Sequence, residues 1–135
     1  MTNQYDLEFH HIGCLTEDIE LSKKTYQTGL GLAECSATFS IASQKVKVCF
    51  IKNGGNNYIE LVEPMEGNKA LKKMLANKTV FYHLGYLTTS FDETVNQMLA
   101  NGFYLINKFN SEAFSNKLCA FLYSPEMHLI EIIQK

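Results

Sequence analysis

Two histidines and two glutamates stand at repeat-related places in this chain, and their types suit divalent-metal chemistry. His11 lies in Phe9-His10-His11-Ile12-Gly13-Cys14-Leu15-Thr16, and His83 in Phe81-Tyr82-His83-Leu84-Gly85-Tyr86-Leu87-Thr88. Five of these eight positions are identical at an offset of 72 residues. Glu60 sits in Ile59-Glu60-Leu61-Val62 and Glu131 in Ile130-Glu131-Ile132-Ile133, at an offset of 71. A carboxylate inside such an apolar run is costly to bury unless it is paired or bound to a metal. Two neutral imidazoles and two carboxylates would satisfy one divalent ion such as Zn, Ni, Co or Mn, with water or substrate oxygens completing the coordination. A lone His or Glu on an amphipathic strand is usually an ordinary half-buried residue. The doubling is what favours a ligand set here.

The elements that must position these four residues also come in two copies. We expect one domain spanning 1–135, with a first module over about 7–66 and a second over about 79–135. Each module reads as βαβββ, opening with an alternating strand, Leu7 to Leu15 and Val80 to Leu87. A helix follows in each. Ser90-Phe91-Asp92-Glu93 is a capping-box pattern, and Asp18 occupies the Ser90 position in the first copy. Gly29, Gly31 and Gly102 are the expected helix stops. Three further strands are expected near 36–42, 45–51 and 57–63, and again near 103–109, 116–123 and 127–133. Asn53-Gly54-Gly55-Asn56 and Ser124-Pro125-Glu126 supply turns. The joining segment, with Ala70, Leu71, Met74 and Leu75, reads as a short amphipathic helix.

Strand parity then selects among the candidates. Side chains alternate faces with period two. His11 therefore shares a face with Phe9, Gly13 and Leu15, while His10 faces the other way. Glu60 shares a face with Tyr58, and Glu131 with Leu129. His128 points away from Glu131. Tyr58 is a pocket candidate, and Tyr86, opposite in parity to His83, is a core candidate. Gly13 and Gly85 leave room beside the two histidines.

Whole-chain properties exclude several classes. The net charge is -2 with no long basic run, which gives no reason to expect nucleic acid or an anionic membrane surface. The first residues lack a signal-peptide pattern, and no apolar stretch reaches the length of a membrane span. The four cysteines, Cys14, Cys35, Cys49 and Cys119, form no C-x-x-C and read as reduced core thiols of a cytoplasmic protein.

These motifs resemble the vicinal-oxygen-chelate superfamily, which includes glyoxalase I, methylmalonyl-CoA epimerase, extradiol dioxygenases and the bleomycin- and fosfomycin-resistance proteins. The resemblance spans nearly the whole chain. It rests on His11-Ile12-Gly13, Tyr26 with Gly29-Leu30-Gly31-Leu32, Ile59-Glu60-Leu61-Val62-Glu63-Pro64, His83-Leu84-Gly85 and Leu129-Ile130-Glu131-Ile132. It implies an α+β fold in which two βαβββ modules form an incomplete eight-stranded barrel around one divalent metal, with His11, Glu60, His83 and Glu131 as ligands. It also implies a homodimer, and an isomerase, epimerase or lyase that moves a proton next to a carbonyl of a small carbonyl or thioester substrate. Glu131 takes the role of base in that reading, as both ligand and base.

Methylmalonyl-CoA epimerases are the most similar branch. They carry a second glutamate base before or within the third strand, whereas Ser36 to Val48 contains no acid here and Gln44 sits near that place. A glyoxalase I-type lactoylglutathione lyase is the first alternative. It fits less well, because the chain contains no arginine to meet glutathione. A non-enzymatic small-molecule binding or resistance protein is the second.

Overall fold

The computed structural model describes residues 6–135. They fall into two compact units. One is His11–Tyr82; the other is His83–Lys135 together with the described residues up to His10. The β1 strand (Glu8–Leu15) therefore contributes to both.

In the unit His11–Tyr82, β1 residues run parallel to β4 (Tyr58–Pro64), which pairs antiparallel with β3 (Val46–Lys52), and β3 with β2 (Phe39–Ile41). Runs such as Val46-Lys47-Val48-Cys49-Phe50-Ile51 are rich in branched and aromatic residues that pack well on a pleated surface. The α1 helix (Ile19–Leu30) covers one face, where Cys14, Ile19, Cys49, Ile51, Ile59 and Leu61 make a buried cluster. Asp18 caps it by accepting from the Leu21 N–H at 3.1 Å. Gly29 is a residue of the helix, and the stop falls at Gly31, whose φ of 69° is the left-handed conformation that glycine adopts at least cost. The α2 helix (Lys69–Ala76) follows β4 as expected, capped by Asn68 and anchored by buried Leu71.

The second unit repeats the plan. The β5 strand (Phe81–Thr88) runs parallel to β8 (Leu129–Gln134), which pairs antiparallel with β7 (Lys117–Tyr123), and β7 with β6 (Tyr104–Ser111). The α3 helix (Phe91–Ala100) packs Phe91 and Val95 on Ala120, Leu122 and Ile132. The class is α+β, as expected.

Three local expectations are corrected. Ser90 is the N-cap residue of α3, but its side chain makes no cap hydrogen bond. Thr88 instead accepts from the Ser90 N–H at 3.0 Å and shares a 3.2 Å hydroxyl contact with Thr94. The same arrangement recurs in the first copy, where Thr16 accepts from the Asp18 N–H and meets the Ser22 hydroxyl. Second, β2 is only three residues long, because a 3-10 turn at Ala42–Gln44 ends it and Cys35 touches β3 only through one isolated bridge to Ile51. Third, β6 runs two residues past its expected end, with a bulge between Leu105 and Asn107.

The unequal caps make a prediction. Asp18→Ala lowers stability by about 1 kcal/mol, whereas Ser90→Ala costs less than about 0.3 kcal/mol because it breaks no cap bond. Urea unfolding of the two variants beside the parent chain measures the contrast.

Candidate functional site

Each unit brings one histidine to one glutamate. In the unit His11–Tyr82, His11 on β1 and Glu60 on β4 are buried, at 0% and 4% exposure. His11 Nε2 stands 3.4 Å from Glu60 Oε1. In the other, His83 on β5 and Glu131 on β8 are equally hidden, and His83 Nε2 stands 3.3 Å from Glu131 Oε1. Parity thus separates these residues from the decoys: His10 is half-buried and meets the Phe114 ring, while His128 is exposed.

The register explains how the pairs are held. Gly13 lies directly beside Glu60 across the parallel β1–β4 pair, and Gly85 beside Glu131 across β5–β8. Residues so paired point their side chains to the same face, about 4.8 Å apart. The glycines therefore put no side chain next to the carboxylates, a more specific role than room beside the histidines. On the other flank Phe50 is registered with Glu60 and Phe121 with Glu131. Each phenylalanine presents an edge-to-face contact to the histidine of its own pair, at 5.7 Å from His11 and 5.2 Å from His83. Sequence reasoning missed these two rings. The signal was present, since Cys49-Phe50-Ile51 aligns with Ala120-Phe121-Leu122 in the repeat.

The distances discriminate between two kinds of contact. A charge-assisted N–H to carboxylate bond closes to about 2.7–2.9 Å. Two donors bound at about 2.1 Å to one ion, at roughly 90–109° to each other, lie about 3.0–3.4 Å apart. The observed 3.4 and 3.3 Å match the second spacing. The donor chemistry, imidazole nitrogen with carboxylate oxygen, suits the same ions. Both pairs thus have the donor types and spacing of ligands to a divalent cation.

Tyr58, expected in the pocket, is half-buried and edges onto Phe50. Tyr86 is half-buried on the α3 side of its sheet, against the buried cluster there, as its parity required. Three of the cysteines are buried free thiols, but Cys35 is exposed, because the loop after α1 carries it outside the cluster. Cys14 lies on the helix side of β1. Burial, with the nearby Glu60 charge, pushes its thiol up to about 11, partly offset by a hydrogen bond with Tyr26.

Residues 10–121 match the family described as the Glyoxalase/Bleomycin resistance protein/Dioxygenase superfamily. The fold and the doubled His–Glu pair thus define a glyoxalase-type protein, and the chain belongs to that superfamily. No curated protein matches the sequence. Among solved structures, a hypothetical protein from Bacillus halodurans C-125 is 25% identical with a TM-score of 0.83, covering 96% of this chain and 94% of that one. The methylmalonyl-CoA epimerase from Mycobacterium tuberculosis is 17% identical with a TM-score of 0.86, covering 99% and 92%. A Streptomyces coelicolor methylmalonyl-CoA epimerase variant in complex with 2-nitronate-propionyl-CoA is 21% identical with a TM-score of 0.80, covering 94% and 96%. These likenesses show the glyoxalase-like fold that the resemblance implied.

The raised Cys14 pKa has a signed consequence. The unfolded thiol ionises near its ordinary value of 9.0 and the folded one only at about 11. Stability from keeping this thiol protonated is therefore complete below pH 9 and is lost as pH rises through 11. The urea midpoint is expected to fall over that window, and less steeply in Cys14→Ala.

Proposed function

We propose that the His11–Glu60 and His83–Glu131 pairs together hold one divalent cation, and that the protein is an isomerase, epimerase or lyase acting by proton transfer next to a carbonyl. The observation that carries this reading is the pair spacing, 3.4 and 3.3 Å between buried donors, repeated in both copies. His11, Glu60, His83 and Glu131 are all buried, and each offers one ligand atom to a candidate metal group.

A bound divalent ion supplies Lewis-acid stabilisation of the negative charge that develops on a substrate oxygen. The protein's own groups do the rest. His11 and His83 serve as neutral imidazoles. Glu60 is a ligand. Glu131 is ligand and base, taking the proton from the carbon beside the carbonyl and returning it. The Phe50 and Phe121 rings keep water away from the carboxylates beside them, which strengthens the electrostatics there.

The substrate in this reading is a small carbonyl compound or thioester. Solved structures with this fold include an epimerase in complex with methylmalonyl-CoA, which supports an acyl-CoA thioester. Residues 36–48 carry no carboxylate, and Gln44 donates its side-chain amide to the Ser43 carbonyl. A single base, Glu131, therefore favours one-face proton transfer over two-base epimerisation. The resemblance extends the reading to a cytoplasmic homodimer. No helix among the described residues is long and apolar enough to cross a membrane.

Two measurements test this. Chelated protein reloaded with Zn, Ni, Co or Mn should retain one ion per chain by mass spectrometry, and Glu60→Ala or His83→Ala should retain far less. Deuterium from heavy water should enter the carbon beside the carbonyl of methylmalonyl-CoA or of a hemithioacetal. Glu131→Gln should slow that entry by at least about a hundredfold, the scale of lost general-base catalysis. Full metal retention in both alanine variants would refute the ligand set.

A further inference from the structure

Apart from the His–Glu pairs, four side chains converge on the α1 side of β3. Residues 34–36 run beside β3, with Cys35 paired to Ile51, the Ser36 N–H donating to the Phe50 carbonyl at 2.8 Å and the Lys52 N–H to the Glu34 carbonyl at 2.9 Å. Ile51 and Cys49 share a face, so Cys35 and Cys49 are diagonal neighbours on that face. The Cys49 thiol lies against the Ser36 carbonyl, and Cys49 is fully buried. Two α1 residues one turn apart reach the sulfurs from above. The Gln27 side-chain amide donates to Cys35 Sγ at 3.6 Å. The Lys23 ammonium is within electrostatic reach of both sulfurs and is itself held at 3.3 Å by Glu20.

We propose that Cys35 and Cys49 form a hydroperoxide-sensitive dithiol, with Cys35 as the attacking thiol and Cys49 as the resolving one. Cys35 is exposed, and its developing negative charge meets an amide donor and an ammonium, the surroundings that make a thiol reactive. Burial raises the Cys49 thiol, which leaves the first attack to Cys35. The Cys35 thiolate attacks one oxygen of the hydroperoxide and the O–O bond breaks. The sulfur becomes a sulfenic acid, and water or an alcohol leaves. The Cys49 sulfur then attacks that sulfur, the S–S bond forms, and the S–O bond breaks as water departs with the Cys49 proton. Two electrons pass from the two thiols to the peroxide, so no further reductant or oxidant is needed.

The geometry permits the closure. Diagonal neighbours stand about 7–8 Å apart at Cα, and a disulfide spans up to about 6.8 Å. A shift of roughly 1 Å therefore suffices, in a segment joined to β3 by the Cys35–Ile51 bridge, its two backbone hydrogen bonds and the Ser36 hydroxyl.

The test treats the reduced full chain with hydrogen peroxide near neutral pH and maps the products by non-reducing digestion and mass spectrometry. A Cys35–Cys49 linked peptide is the expected first product. Cys35→Ser, a change at an exposed site, should abolish it. Lys23→Met should slow alkylation of Cys35 by iodoacetamide at least about threefold, by removing the cation beside the thiolate. Accumulation of Cys35 sulfinic or sulfonic acid without the linked peptide would overturn the proposal. So would an unchanged alkylation rate in Lys23→Met.

Discussion

The cost of placing a carboxylate inside an apolar strand governs this structure. Glu60 and Glu131 are flanked by isoleucine and leucine on strands whose neighbours are nearly all buried. An ionised carboxyl in such surroundings loses several kcal/mol of hydration unless something replaces the water. Here a histidine stands opposite each one, a glycine keeps the adjacent strand clear, and a phenylalanine closes the other flank. The same four-residue device is built twice, at the same register. A fold maintaining this device twice for packing alone would do better with four hydrophobic residues, since replacing buried polar groups by well-packed apolar ones is often stabilising.

The elements around the device exist to fix its register. A slip of one residue in β1 against β4 would turn His11 to the helix side and bring Ile12 inward. Parallel pairing on one side of β4 and antiparallel pairing on the other prevent this, because Glu60 is then registered by two independent ladders. The threonine at the end of each first strand adds a third constraint. Thr16 and Thr88 tie the strand end to the helix that follows, through Ser22 and Thr94. Each helix is thereby anchored to the strand that carries the histidine.

Much of this was legible in the sequence, because the repeat supplied two readings of every element. Parity alone separated His11 and His83 from His10 and His128, and the buried glutamates followed from their apolar flanks. What the sequence obscured were features that depend on cross-strand register. The pairing of Gly13 with Glu60, and of Phe50 with the same carboxylate, is set by ladders that no local pattern encodes. The cap of α3 went astray for a related reason. Ser90-x-x-Glu93 satisfies the local rule, but the Thr88 hydroxyl, held by buried Thr94, takes the Ser90 N–H first. The turn between β2 and β3 likewise ends on a left-handed residue, Lys45 with φ of 53°, at a position where the composition gives no warning.

The division of β1 between two units bears on the order of assembly during synthesis. The unit His11–Tyr82 is continuous, so all its partners have been made once residue 82 leaves the ribosome. The other needs Leu7, Phe9 and their neighbours as well as the last strand, since Leu7 packs among the residues under α3 and Glu8 meets Lys135. Its N-terminal residues therefore meet their partners only after residues 83–135 have been made.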